Sequence, residues 1–202
     1  PNPTPNAFYS GSNAKLPGGE FLQNYYAFTW GDALFVVLDP FWPTQQRGST
    51  GWETTLGADQ YRWLEQTLAT STAPLKFVFL HHLVGGSGNE HRGGVESANL
   101  FEWGGRSADG RDDFAARRPG WSMPIHALLV KHGVNVVFHG HDHLFARQVL
   151  DGVIYQEVPQ PSHLGNNGAQ LATEGGYRSG VIRSSSGHLR VSVEGPDARI
   201  EY

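Results

Sequence analysis

Hydrophobic and polar positions change period several times along the chain, and each change marks an element. "NYYAFTW" and "ALFVVLD" are aromatic and β-branched runs separated by Gly31-Asp32, which predicts a β-hairpin whose second strand ends at Asp39. "ADQYRWLEQTLAT" then places Tyr61, Leu64 and Leu68 at helical spacing with Trp63 beside them, an amphipathic helix closed by Pro74. "KFVFL" is a short apolar strand that delivers His81 and His82. From Leu83 to Gly120 the composition turns Gly-rich and predicts a long loop, a feature usually kept in compact domains for function. "SMPIHALLVKH" predicts a helix with Ser122 as N-cap, Pro124 in the first turn and Gly133 past the end. "VNVVF" follows as a strand emerging at His139-Gly140-His141-Asp142-His143. The remainder alternates strands and turns: "LFARQVL", Asp151-Gly152, "VIYQEV", a Gly-rich loop, "GVIRSS", Ser186-Gly187, "HLRVSV" and "ARIEY".

The order strand, helix, strand, helix, strand from Ala33 to Phe138 implies parallel strands joined by crossovers. The expected fold class is therefore α/β, a mixed β-sheet with flanking helices. Asp39, His81 and the segment His139 to His143 would share one edge of that sheet, outside the carboxyl ends of the strands, where open α/β sheets bind ligands. A chain of 202 residues, 39% hydrophobic and 12% aromatic, fits one domain with a real core, taken as residues 1–202.

Charge and composition narrow the function classes. A net charge of −4 with acidic and basic residues interspersed lacks the basic tract that nucleic-acid binding needs. No run approaches the ~18 to 20 apolar residues of a membrane span, and "PNPTPNAFYSGSN" is polar and Pro-rich, unlike a signal peptide. A soluble chain is expected, with the compartment open and a periplasmic or secreted setting included. Its start at Pro rather than Met suggests a processed, trimmed or partial chain. With no Cys, any metal must be held by His, Asp, Glu or Asn.

The densest chemistry lies in "VVFHGHDHLFA". Residues two apart in an extended segment point the same way, so His141 and His143 are expected to face one point, with Gly140 allowing a tight turn. His81 arrives from a neighbouring strand end as a third imidazole. Three neutral imidazoles suit Zn, Fe, Ni or Cu in preference to Ca or Mg. A lone His is ordinarily a hydrogen-bonded surface or core residue; convergence of two strand ends shifts the balance toward metal binding.

With those residues in view, the sequence resembles the calcineurin-like metallophosphoesterases, a superfamily that includes the purple acid phosphatases. "FVFLHH" matches the family's strand-end histidine motif and "FHGHDH" its Gly-His-x-His, while "DQYRWLEQTL" and "YQEVPQP" are similar to the flanking context. The resemblance implies that His81 and His141 ligate one metal of a binuclear site and His143 the other, with His82 behind them or facing substrate. It implies metal-dependent hydrolysis of phosphate esters by a metal-activated water, with one or two ions of Zn, Fe or Mn. The family's upstream ligands, an Asp-x-His, a Gly-Asp with a bridging carboxylate and a Gly-Asn-His-Asp/Glu, have no counterpart here. Asp32 follows a Gly, but in a hairpin turn. The chain thus resembles the C-terminal portion of the family domain, an αββα sandwich lacking its N-terminal strands.

Three histidines supply no negative charge, so a binuclear site in this chain alone would be electrostatically poor, whereas one tetrahedral cation with three His and a water is a known catalytic arrangement. Asp39, at the same sheet edge, is the candidate extra ligand or base, weighed against a role as strand cap. Asp142 should point away between the two ligands. In "GGSGNEHRGGVES", His91, Arg92 and Glu96 could fold over the site, with Arg92 pairing a phosphate, or form a solvated loop. His163, just past a strand end, is a candidate substrate contact. Arg147 is expected to hold the strand end, and His126 and His132 to be structural or exposed. His139 could share the ligand face by alternation; the resemblance argues against it. The alternative function is a non-catalytic fragment or subunit completed by a missing half. It carries the expectation of an exposed sheet face covered in a homodimer or by that half.

Overall fold

The computed structural model describes residues 6, 8–19, 22–45, 51–87, 92–162, 167–184 and 186–202. Along them run β1 (Tyr9–Gly11), β2 (Tyr26–Trp30), β3 (Ala33–Val37), α1 (Gly57–Thr70), β4 (Leu75–Phe79), α2 (Phe101–Gly104) and α3 (Phe114–Arg117). There follow α4 (Ile125–Lys131), β5 (Val136–His139), β6 (Phe145–Leu150), β7 (Val153–Glu157), α5 (Gly168–Gly175), β8 (Val181–Arg183), β9 (Arg190–Glu194) and β10 (Asp197–Glu201).

Eight strands form one mixed sheet in the order β1-β2-β3-β4-β5-β7-β6-β8, and β9 with β10 makes a separate hairpin. The central β3, β4, β5 and β7 are parallel. The flanks β1–β2 and β6–β8 pair antiparallel. The predicted hairpin forms with Trp30 opposite Ala33, and Gly31 takes the positive φ of 56° that the two-residue turn needs.

Alternation along the strands sorts side chains to two faces. On one, Leu34, Val36, Val78 and Val137 pack against Tyr61, Leu64 and Leu68 of α1 and Ile125, Leu128 and Leu129 of α4. Each fully buried Leu there contributes about 1.5–3 kcal/mol by leaving water. On the other, Ala33, Leu75, Phe77, Val136 and Phe138 pack with their partly buried neighbours Phe35, Phe79, Ile154 and Val158, and Leu189, Val193 and Ile200 of the β9–β10 region pack against them. Both faces are covered at the centre, which is why the parallel strands read as near-continuous apolar runs.

Three expectations need correction. The segment Leu83 to Gly120, expected as a loop, holds a 3-10 turn (Val95–Ser97), α2 and α3, with Trp103 fully buried and its Nε1 donating to the Tyr155 hydroxyl at 2.9 Å. Single-turn helices are too short to show a period. They persist through tertiary contacts, chiefly the fully buried Glu102, whose carboxylate accepts from Thr55 Oγ1 and the Leu56 amide at 2.7 Å each. That carboxylate takes the Leu56 amide at the start of α1, where Leu56 offers no side-chain cap, and Thr55 Oγ1 takes the Gly57 amide beside it. Arg118 neutralises it at 2.5 Å, its guanidinium 5.4 and 5.6 Å from the rings of Trp52 and Trp121.

Ser122 does not cap α4. The helix starts at Ile125 with extended Pro124 (ψ 152°) in the cap position, and Ser122 Oγ donates instead to Glu65 at 2.6 Å. The Gly-rich stretch before β8 also conceals α5, capped by Asn167, whose side chain accepts from the Gln170 amide at 3.3 Å. Among the described residues no helix is long and apolar enough to cross a membrane.

Candidate active site

Parallel β4 and β5 end side by side, and the chain leaves both at the same sheet edge. The Leu80 amide bonds the Phe138 carbonyl (3.1 Å) and the Gly140 amide bonds the His81 carbonyl (2.8 Å), so the histidine segments are stitched together by backbone. His81 Nε2 consequently stands 3.0 Å from His141 Nδ1, the rings near-perpendicular at 79°. Phe41, from the loop after β3, closes one side, its ring 5.5 Å from that of His81 and 5.2 Å from that of His82.

Partial burial, then the neighbouring His141 and His143 imidazoles, hold the His81 pKa below the ordinary histidine value, against a smaller upward pull from Asp142. That shift favours the neutral ring, and across the 3.0 Å contact one of the two facing nitrogens donates to the other. Two nitrogens at 2.0–2.1 Å on a tetrahedral cation sit about 3.3 Å apart; the 3.0 Å pair is a hydrogen bond, so an ion shared by the two rings would displace its proton and spread them slightly. The fit stops at that pair: among the described residues no group of three His, Asp or Glu is gathered closely enough to hold a metal ion.

The path by which His141 and His143 reach this point differs from expectation. β5 stops at His139, and His141 (φ 88°) and His143 (φ 60°) both lie in the left-handed region. Turn geometry, not strand alternation, aims their rings. His143 is exposed and His141 half-buried. His82 is buried at 3% exposure, its Nδ1 3.0 Å from the Leu83 carbonyl and its ring 5.6 Å from that of His141.

Asp39 binds its own loop. Its carboxylate accepts from Asn24 Nδ2 (2.8 Å) and the amides of Phe41 (2.8 Å) and Trp42 (3.3 Å), and Gln60 bonds its backbone on both sides. The turn it caps is the one that presents Phe41. Arg92 Nη1 stands 3.8 Å from both Asp142 Oδ1 and Glu174 Oε2. Glu96 accepts from Gln148, Ser179 and the Arg178 amide, which docks its segment onto β6 and the loop before β8. Arg147 is an exposed β6 residue, and His126 bridges Tyr155 (2.7 Å) and Asp151 (3.0 Å). His91 and His163 lie outside the described residues.

Sequence reasoning missed a buried polar cluster behind the histidines. His139 Nδ1 lies 2.7 Å from Glu157 Oε2, in a contact that lacks the direction of a hydrogen bond. Asp142, 2% exposed, donates its amide to Glu157 Oε1 (3.0 Å) and accepts the Gly93 amide and the Tyr177 hydroxyl on Oδ2 (2.8 Å each). Burial raises the Glu157 carboxyl to about 7 despite the nearby His139. Burial and the two adjacent carboxylates likewise push the Tyr177 hydroxyl up. The available signal was parity: Glu157 alternates with Val153 and Tyr155, both buried, so it faces the interior.

A cleft of about 580 Å³ at the N-terminal ends of β3 and β4, lined by Ser10, Thr29, Trp63 and Thr67 among others, includes none of the histidines. The imidazoles meet at the opposite edge, at the C-terminal ends of β4 and β5.

No protein-family model and no curated protein sequence matches the chain. Among solved structures it is similar to PhoD, with a TM-score of 0.60 and 20% identity, covering 94% of this chain and 40% of that one. The purple acid phosphatase PPD1 from yellow lupin (Lupinus luteus) seeds aligns at a TM-score of 0.48 and 13% identity, covering 87% of this chain and 30% of that one. The chain thus spans well under half the length of either structure. Its mixed eight-stranded sheet with flanking helices is, over nearly all of its own length, a fold shared with part of PhoD.

Proposed function

We propose that this chain takes part in metal-dependent hydrolysis of phosphate esters at the edge formed by His81 and His141. The observation that supports it is their 3.0 Å approach across adjacent parallel strand ends, in a fold shared with PhoD. His81 and His141 would hold the ion, with His143 as the next ligand from the same turn. A bound Zn, Fe or Mn ion supplies Lewis acidity and a water of lowered pKa. The chain's own residues do the rest. Partial burial and the neighbouring imidazoles favour the neutral His81 ring, Phe41 packs against one side of it, and buried His82 backs the pair. Arg92 pairs with a phosphate by exchanging its contact to the half-exposed Glu174. His163 is proposed as a further substrate contact and Asp39 as a base, the latter only if its turn opens.

A second reading is favoured by one observation: no third ligand completes the pair among the described residues. Here the missing ligands come from a second copy or from the rest of a longer assembly. Elemental analysis of the gel-filtered chain separates the two, alongside p-nitrophenyl phosphate and bis-p-nitrophenyl phosphate hydrolysis with and without chelator. About one metal per chain with chelator-sensitive turnover supports the first. No metal and no turnover supports the second.

A further inference from the structure

We infer that Glu157 and Asp142 form a buried clamp that presets the Gly140–His143 turn, making them positioning residues for the His141 and His143 rings. The inference rests on the metal-site reading above. His141 and His143 both occupy the left-handed region that L side chains avoid, and Asp142 between them is turned inward. A turn of that kind relaxes unless its surroundings over-determine it.

Here they do. The Asp142 amide is fixed by Glu157 Oε1 at 3.0 Å, while its Oδ2 is fixed by the Gly93 amide and the Tyr177 hydroxyl at 2.8 Å each. The other Glu157 oxygen packs 2.7 Å from Nδ1 of His139, the residue just before the turn, without the direction of a hydrogen bond. The end of β5, the end of β7, the loop at Gly93 and the second residue past α5 therefore converge on one carboxylate pair. The packing leaves no slack: a Cβ on Gly93 would meet Ser97 Oγ at 2.5 Å, and one on Gly175 would meet Tyr177 at 2.7 Å.

Packing alone does not explain two carboxylates in one buried cluster. Burying charge is unfavourable, and apolar residues would join the same strand ends without that penalty. Carboxylates add direction: acceptors that hold one amide and two side-chain or backbone donors at set angles. That is what aiming two imidazoles requires.

The test is visible-absorption titration of the metal-free full chain with Co2+ alone, together with amide hydrogen exchange at Asp142 in the same metal-free protein. Glu157→Ala should weaken cobalt binding roughly 10- to 100-fold and remove Asp142 amide protection. Glu157→Gln keeps the Oε1 acceptor and should stay within roughly threefold of the parent with protection intact. A folded Glu157→Ala variant that binds cobalt as tightly as the parent overturns the clamp and leaves the metal-site reading standing. No cobalt uptake by the parent overturns that reading and the clamp with it. Should Glu157→Ala fail to fold, Tyr177→Phe decides: a roughly three- to tenfold weakening supports the clamp, and unchanged affinity overturns it.

Discussion

His81 Nε2 and His141 Nδ1 stand 3.0 Å apart although 60 residues separate them. Parallel pairing of β4 with β5 creates the meeting, because parallel strands end at the same edge whatever the length of the crossover between them. Metal retention should depend on both rings. His81→Ala and His141→Ala are each expected to lower cobalt or zinc affinity by more than ~100-fold, beyond the loss typical of an outer partner. His132→Ala, at the far end of α4, should leave it unchanged. Equilibrium dialysis with elemental analysis reads all three, and equal retention in the His141→Ala chain would sink the assignment.

The Glu157 carboxyl, raised by burial from 4.5 to about 7, ties stability to pH with a definite sign. A carboxyl that is easier to protonate folded than unfolded stabilises the fold at low pH, and that contribution is lost as pH rises through the folded value. Relative to Glu157→Gln, the parent should lose on the order of 3 kcal/mol between about pH 4.5 and 7. Glu96 has the opposite sign. Burial pushes it up, but bonds from Gln148, Arg178 and Ser179 outweigh burial and hold it below its ordinary value, so its contribution is lost on acidification. Urea unfolding of parent and Glu157→Gln across pH 4 to 8 checks the first, a flat difference contradicting the Glu157 assignment; the same comparison with Glu96→Gln, carried down to about pH 3, checks the second.

Glu102 and Arg118 form a buried pair that closes the start of α1. Arg118→Met should destabilise by about 3–5 kcal/mol, because it strands a fully buried carboxylate. The double change Glu102→Leu with Arg118→Met should recover much of that loss. A double-mutant cycle in urea reads the coupling, and additive losses would show that the pair is not coupled.

Gly180 takes a φ of +83°, and a Cβ there would lie 2.2 Å from the Arg147 carbonyl. Gly180→Ala should therefore push β8 from β6 and destabilise by at least ~2 kcal/mol. Gly133, at φ +64° with nothing near a Cβ, isolates the backbone share; Gly133→Ala should cost only about 1 kcal/mol. Thermal unfolding compares the two, and equal losses would mean that the Arg147 contact does not matter.

The hairpin across Gly31-Asp32, α1, the parallel strands and the histidine edge were all legible in sequence. Each depends on local signals: a turn pair, a helical period, short apolar runs, and a strand-helix-strand order that leaves one topology. Legibility failed where an element or contact is held from a distance. α2, α3 and α5 are too short or too Gly-flanked to carry a period, and they stand on contacts such as Trp103 with Tyr155, 52 residues on. Asp39 stands on the other side: its role as a cap was weighed from sequence, and the amides it accepts, Phe41 and Trp42, are local, with only Asn24 and Gln60 added from a distance.

The histidine turn shows the same division. Sequence alone determined that His81, His141 and His143 come to one edge, because strand order decides where strands end. Tertiary structure alone decided how the last two are aimed. A left-handed turn is unfavourable by itself and forms here only because Glu157, Gly93 and Tyr177, brought in from three other segments, bind the residue at its centre.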